Sequence, residues 1–111
     1  MKTIVWKIKG DIYERYIRAI SPFFKLTNLE RTLATELFRE YNNYLSKSTH
    51  DIAWELLFSI KTMRKIKDKL SISSAHFNNL KKSLKDKKLY NETGFYKNIK
   101  LSNITFEFYE S

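Results

Sequence analysis

Between Ser59 and Lys88 the chain reads SIKTMRKIKDKLSISSAHFNNLKKSLKDKK, and this stretch limits the fold more than any other. Its apolar residues fall at helical spacing on both sides of Ser71-Ile72-Ser73: Met63, Ile66 and Leu70 before it, Phe77, Leu80 and Leu84 after it. Steps of three and four put each trio on one helix face. Ser59 and Ser73 stand where an N-cap hydroxyl would accept the first free backbone N–H. The pattern predicts two short amphipathic helices, Ser59 to Leu70 and Ser73 to Lys87, joined by a turn in which Ile72 plugs the core. The face opposite Phe77, Leu80 and Leu84 carries Ser74, Ala75, Asn78, Asn79, Lys82 and Lys85, with Lys81 at its flank.

Charge singles out the same stretch. Residues 60–88 hold ten Lys/Arg against two Asp, +8 of the formal net charge of +9, whereas residues 10–59 come to −1. Cations gathered on one element are the footprint of a surface that displaces counterions from a polyanion. A chain-wide lysine bias is the bland alternative, but it would not leave residues 10–59 slightly acidic.

The remainder is expected to build a scaffold around this pair. Thr3–Lys9 alternates Ile4, Trp6 and Ile8 with its other residues, the period of a half-buried strand that could join the C-terminal sheet or pair with another copy, and Gly10 ends it. Asp11 opens a short helix with Ile12, Tyr13, Tyr16, Ile17 and Ile20 inward, and Ser21-Pro22 is expected to stop it. Thr27-Asn28-Leu29-Glu30 is a capping box for a long helix to about Leu45, with Leu29, Leu33, Leu37, Tyr41 and Tyr44 on one stripe. A second start signal falls at Ser48, with Ile52, Ala53, Leu56 and Leu57 as the inner face. Lys88-Leu89-Tyr90 reads as a strand opening, Asn91–Gly94 as a turn, and Ile104–Glu110 as the clearest strand of the chain. Residues 91–103 form either an enlarged hairpin tip or, with a tighter turn at Glu92 to Gly94, a shorter one.

The run Arg64-Lys65-Ile66, Leu70-Ser71-Ile72-Ser73-Ser74, Phe77, Leu80, Leu84 and Lys87-Lys88-Leu89 resembles the winged helix-turn-helix pattern of bacterial and phage DNA-binding proteins, small phage-encoded ones above all. The resemblance covers residues 59–109. It departs at Ser71, where the family usually has Gly to reach a left-handed backbone angle, and at Lys87-Lys88, where Lys-Gly is common. It implies an α+β, mainly α fold: a winged helix-turn-helix with an N-terminal strand and helix and a C-terminal β-hairpin wing. One domain, 1–111, is then expected, divided into an N-terminal extension (1–26), scaffold helices (27–58), the helix-turn-helix (59–87) and the wing (88–111).

The function expected on this reading is duplex DNA binding by the helix over 73–87 and the wing, as a transcriptional regulator or a phage replication or packaging factor. The expected contacts are Lys61, Arg64, Lys65, Ser74, Asn78, Asn79, Lys81, Lys82, Lys85, Lys97 and Lys100. A homodimer through residues 3–20 is the expected assembly. The alternative is a virion-associated or other structural protein that turns the same fold against other virion or phage proteins, docking along strand edges. No enzyme, cofactor or metal is expected: there is no Cys, His50 and His76 stand 26 positions apart, and no Gly-rich phosphate loop occurs. Glu36 and Glu40 share a helix face at a spacing of four and are expected on a solvated face. No apolar run approaches the roughly 20 residues of a membrane span, so a cytoplasmic location, or the virion, is expected.

Overall fold

The computed structural model describes residues 4–9, 12–95 and 104–109, with side chains over 12–95. Residues 12–95 are all-helical: α1 (Ile12–Phe24), α2 (Asn28–Leu45), α3 (His50–Leu57), α4 (Ile60–Leu70) and α5 (Ser74–Asp86). Outside them, strands β1 (Ile4–Lys9) and β2 (Ile104–Tyr109) pair with each other in parallel, Ile4 opposite Ile104 and Lys9 opposite Tyr109.

α2 is the hub. Its capping box forms as the sequence predicts: Glu30 N–H donates to the Thr27 hydroxyl at 3.3 Å, and Thr27 N–H donates to the Glu30 carboxylate at 2.8 Å. The other four helices all pack on α2. The core takes Ile17, Ile20 and Phe24 from α1, Leu33, Ala34 and Leu37 from α2, Leu57 from α3, Ile66 from α4, and Phe77 and Leu84 from α5. Leu33, Leu37, Leu57 and Leu84 are fully buried, each burial contributing about 2 kcal/mol over an exposed side chain.

Two predicted boundaries move. α1 runs through Pro22 to Phe24 and ends where Lys25 adopts a left-handed φ of 54°. Pro22 removes one bond from the last turn's hydrogen-bond ladder, and burial of Ile20 and Phe24 on either side of it holds the turn. The N-cap of α3 is Thr49, not Ser48, whose hydroxyl instead donates to the Tyr44 carbonyl at 2.8 Å and closes α2.

The larger correction concerns the wing. The expected α+β winged helix with a β-hairpin after the second motif helix is not what forms, because residues 88–90 close α5 instead of opening a strand. Lys88 turns left-handed at φ 67°, its N–H donates to Lys85 C=O at 3.0 Å, and Leu89 N–H donates to Leu84 C=O at 3.0 Å. Those two bonds are a Schellman C-cap, completed by the apolar contact of Leu89 with the core beside Leu84. Asn91–Gly94 does turn back: the Asn91 side-chain oxygen accepts from Thr93 N–H at 2.8 Å and Gly94 N–H at 3.2 Å. Only one antiparallel bridge, Tyr90 to Phe95, follows from it. The strand expected as the wing's second half has β1 as its parallel partner, and parallel neighbours cannot be joined as a hairpin.

Candidate functional site

α4 and α5 form with the caps and turn expected of them. Thr62 N–H donates to the Ser59 hydroxyl at 3.3 Å, and His76 N–H donates to the Ser73 hydroxyl at 3.1 Å. Between the helices Ser71 sits left-handed at φ 54°, ψ 44°, the angle that the missing glycine would reach without strain. Phe77 and Leu84 are buried at 3% and 0% exposure, Leu80 is half-buried against the core, and Asn78, Asn79 and Lys82 face solvent. Ser83 and Lys87, on one flank of α5, reach the Glu30 carboxylate of α2, Lys87 at 2.5 Å. The other flank, with Lys81 and Lys85, opens on a groove toward α3.

The predicted contact residues separate into three groups. Lys61, Arg64 and Lys82 are exposed and make no ion pair among the described residues; Asn78 and Asn79 are exposed as well. The Ser74 hydroxyl accepts from the Lys67 ammonium at 3.2 Å. Lys65, Lys81 and Lys85 are engaged: Lys65 with Glu40 at 2.7 Å, Lys85 with Glu92 at 2.8 Å, and Lys81 half-buried with its ammonium 5.0 Å from the Phe77 ring centroid. Burial holds the Lys81 pKa below its ordinary value. Lys97 and Lys100 lie outside the described residues, as does Tyr96. Tyr90 and Phe95, which a projecting wing would have offered for stacking, are instead packed into or against the core.

The carboxylates are where the sequence misleads. Glu36 and Glu40 are not on a solvated face: each is 7% exposed, and they meet Lys69 at 3.0 Å and Lys65 at 2.7 Å. The order is reversed along the two helices, so α2 and α4 are laced antiparallel by two ion pairs. Glu30, 2% exposed, takes Lys87 in the same way. Burial by itself would raise the Glu30 pKa, but hydrogen bonds from Lys87, Ser83 and Thr27 outweigh it and hold the group at about 2. One signal in the sequence matched this arrangement: Glu36/Glu40 and Lys65/Lys69 share a spacing of four. With Lys85 on Glu92, four of the ten cations in residues 60–88 are matched by acids from elsewhere, and the basic surface shrinks toward Lys61, Arg64, Lys82 and their neighbours.

Polar bonds also fix the segment after α5. The Tyr41 hydroxyl and His50 Nδ1 lie 2.7 Å apart, His50 Nε2 lies 2.7 Å from Thr93 C=O, and the Trp54 indole N–H donates to Glu92 C=O at 3.1 Å. His50 is therefore a strut between α2 and the 91–94 turn. Among the described residues no three His, Asp or Glu side chains converge as metal ligands would, and no helix is long and apolar enough to cross a membrane.

No protein-family model, curated protein or solved structure matches the chain. The resemblance of residues 59–109 to winged helix-turn-helix proteins rests on the sequence alone.

Proposed function

We propose that the chain binds duplex DNA, with α5 as the element laid toward a groove and α4 beside it on the phosphate backbone. One observation carries this reading. From Ser73 to Lys85 there is no carboxylate, Phe77 and Leu84 turn inward, and the exposed residues of α5 are Ser74, Ala75, His76, Asn78, Asn79, Lys82 and Lys85, with Asp86 following at the helix end. Asn offers the paired donor and acceptor that match the edge of adenine, while Lys82, Arg64 and Lys61 supply charge for phosphate. With Lys65, Lys69, Lys85 and Lys87 tied to acids, these three carry most of the electrostatic part.

Charge reversal tests it. Arg64→Glu with Lys82→Glu touches neither the core nor an ion pair, so the fold stands while duplex binding in a low-salt gel shift is abolished. Reversing Lys85 would be a poorer probe, since it also breaks the Glu92 contact.

A second reading, contact with another protein, is favoured by the exposed apolar residues Ile52, Leu56 and Ile60 at the α3–α4 corner. Absence of duplex binding at low salt, or its survival in the double reversal, favours this second reading over the first.

A further inference from the structure

We infer that the groove between α3 and the C-terminal half of α5 takes one unstacked nucleotide of a single-stranded nucleic acid, its base against aromatic rings and its phosphate against lysine. The inference rests on the reading of α5 as a nucleic-acid-binding element, and it adds a second mode of binding beside that face.

The groove has a volume of about 670 Å³ and is open to solvent along one side. Trp54, Phe58 and Tyr90 form its apolar wall, from two different parts of the chain. The polar tips of two of them are already satisfied: the Trp54 N–H by Glu92 C=O at 3.1 Å, the Tyr90 O–H by Lys81 C=O at 2.8 Å. Tyr90 is itself buried, so what half-buried Trp54 and Phe58 offer a ligand is ring surface, which favours a planar, stacking partner. The rings hold one another, Trp54 and Phe58 edge to face with centroids 5.0 Å apart and Phe58 and Tyr90 tilted at 5.4 Å, so the wall is set before a ligand arrives.

The charges fit a nucleotide. Lys81, Lys82 and Lys85 line the groove together with Glu55 and Glu92. Glu92 is neutralised by Lys85 at 2.8 Å, which leaves Lys81 and Lys82 for a phosphate and Glu55 as an acceptor suited to the exocyclic amino group of a base. Lys81 makes no ion pair among the described residues, and its stem is half-buried at the groove's edge. An uncharged aromatic compound would leave that ammonium without a counterion, and a phosphate without a base would leave the rings unused.

Trp54 is its own reporter. In a Trp6→Phe background it is the sole tryptophan, and the probe is a short oligodeoxycytidylate titrated against the full chain. Saturable quenching is expected, with an abasic deoxyribose-phosphate strand of equal length binding about tenfold more weakly because stacking is lost. Lys81→Met keeps the apolar stem and removes the charge, so it should weaken the oligodeoxycytidylate while leaving the melting temperature unchanged. No quenching, equal affinity for the abasic strand, or indifference to Lys81→Met overturns the proposal. Arg64→Glu, at a residue that does not line the groove, is scored on duplex, so loss of the groove and loss of the α5 face are read separately.

Discussion

Glu30 is a single residue on which three parts of the chain converge: the start of α2 through Thr27, and α5 through Ser83 and Lys87. Its folded pKa of about 2 lies below the ordinary 4.5, so its contribution is fully present above pH 4.5 and is lost as pH falls toward 2. Urea midpoints of the native chain and of Glu30→Gln, compared across that range, should therefore differ most at neutral pH and converge in acid. Ser71 gives a prediction of opposite sign. A serine at φ 54° carries steric strain that glycine does not, so Ser71→Gly should raise stability by about 1 kcal/mol or less in the same assay, while Ser71→Val should lower it. The resemblance had marked this position because glycine was missing there, and the left-handed angle is present without it. At Lys88 the resemblance likewise marked a missing glycine, and there too the left-handed angle is present, closing α5 instead of opening a strand.

Among the elements, helices were legible and their polar faces were not. Caps at Thr27, Ser59 and Ser73 and the apolar spacing of α2, α4 and α5 are local signals, and each element forms within a residue or two of its expected bounds. Burial of Glu30, Glu36 and Glu40 is not local. It follows from α2 being surrounded by four helices, and that packing is decided by residues far away in the chain. Thr62 is a similar case: fully buried on α4, it lies 2.7 Å from the Tyr44 hydroxyl, a contact no hydrophobic wheel would reveal. The α2–α4 ion pairs predict an asymmetry among surface lysines. Lys65 and Lys69 expose 63% and 57% of their side chains, so screening limits each pair to about 1 kcal/mol or less. Yet their carboxylates are buried, and Lys65→Gln or Lys69→Gln should lower the melting temperature where Lys61→Gln does not.

At the scale of the whole molecule, strand pairing was the part least open to reading. Ile104–Tyr109 carries a clear alternation, and alternation fixes a strand without naming its partner. The hairpin partner expected was residues 88–90, next along the chain, with Ile4–Ile8 only as a further strand that could join the sheet; the partner found is β1, about a hundred residues earlier. The expected wing was lost once Lys88 and Leu89 went into capping α5, and with it the hairpin that would have carried part of the DNA contact. What persists is a helix pair with one flank braced on α2, one flank open to an aromatic groove, and between them an outer face without a carboxylate from Ser73 to Lys85.

Duplex affinity as a function of salt tests that face most directly. Plotted as log K against log salt concentration, the native chain should give a steep negative slope, and Lys61→Ala, Arg64→Ala and Lys82→Ala should each flatten it by about one. Lys65→Ala and Lys69→Ala, whose ammonium groups are held on buried carboxylates, should leave the slope nearly unchanged. A native slope near zero, or one that Lys65→Ala and Lys69→Ala flatten as much as Arg64→Ala and Lys82→Ala do, would contradict the assignment of α5 and its neighbouring cations to DNA.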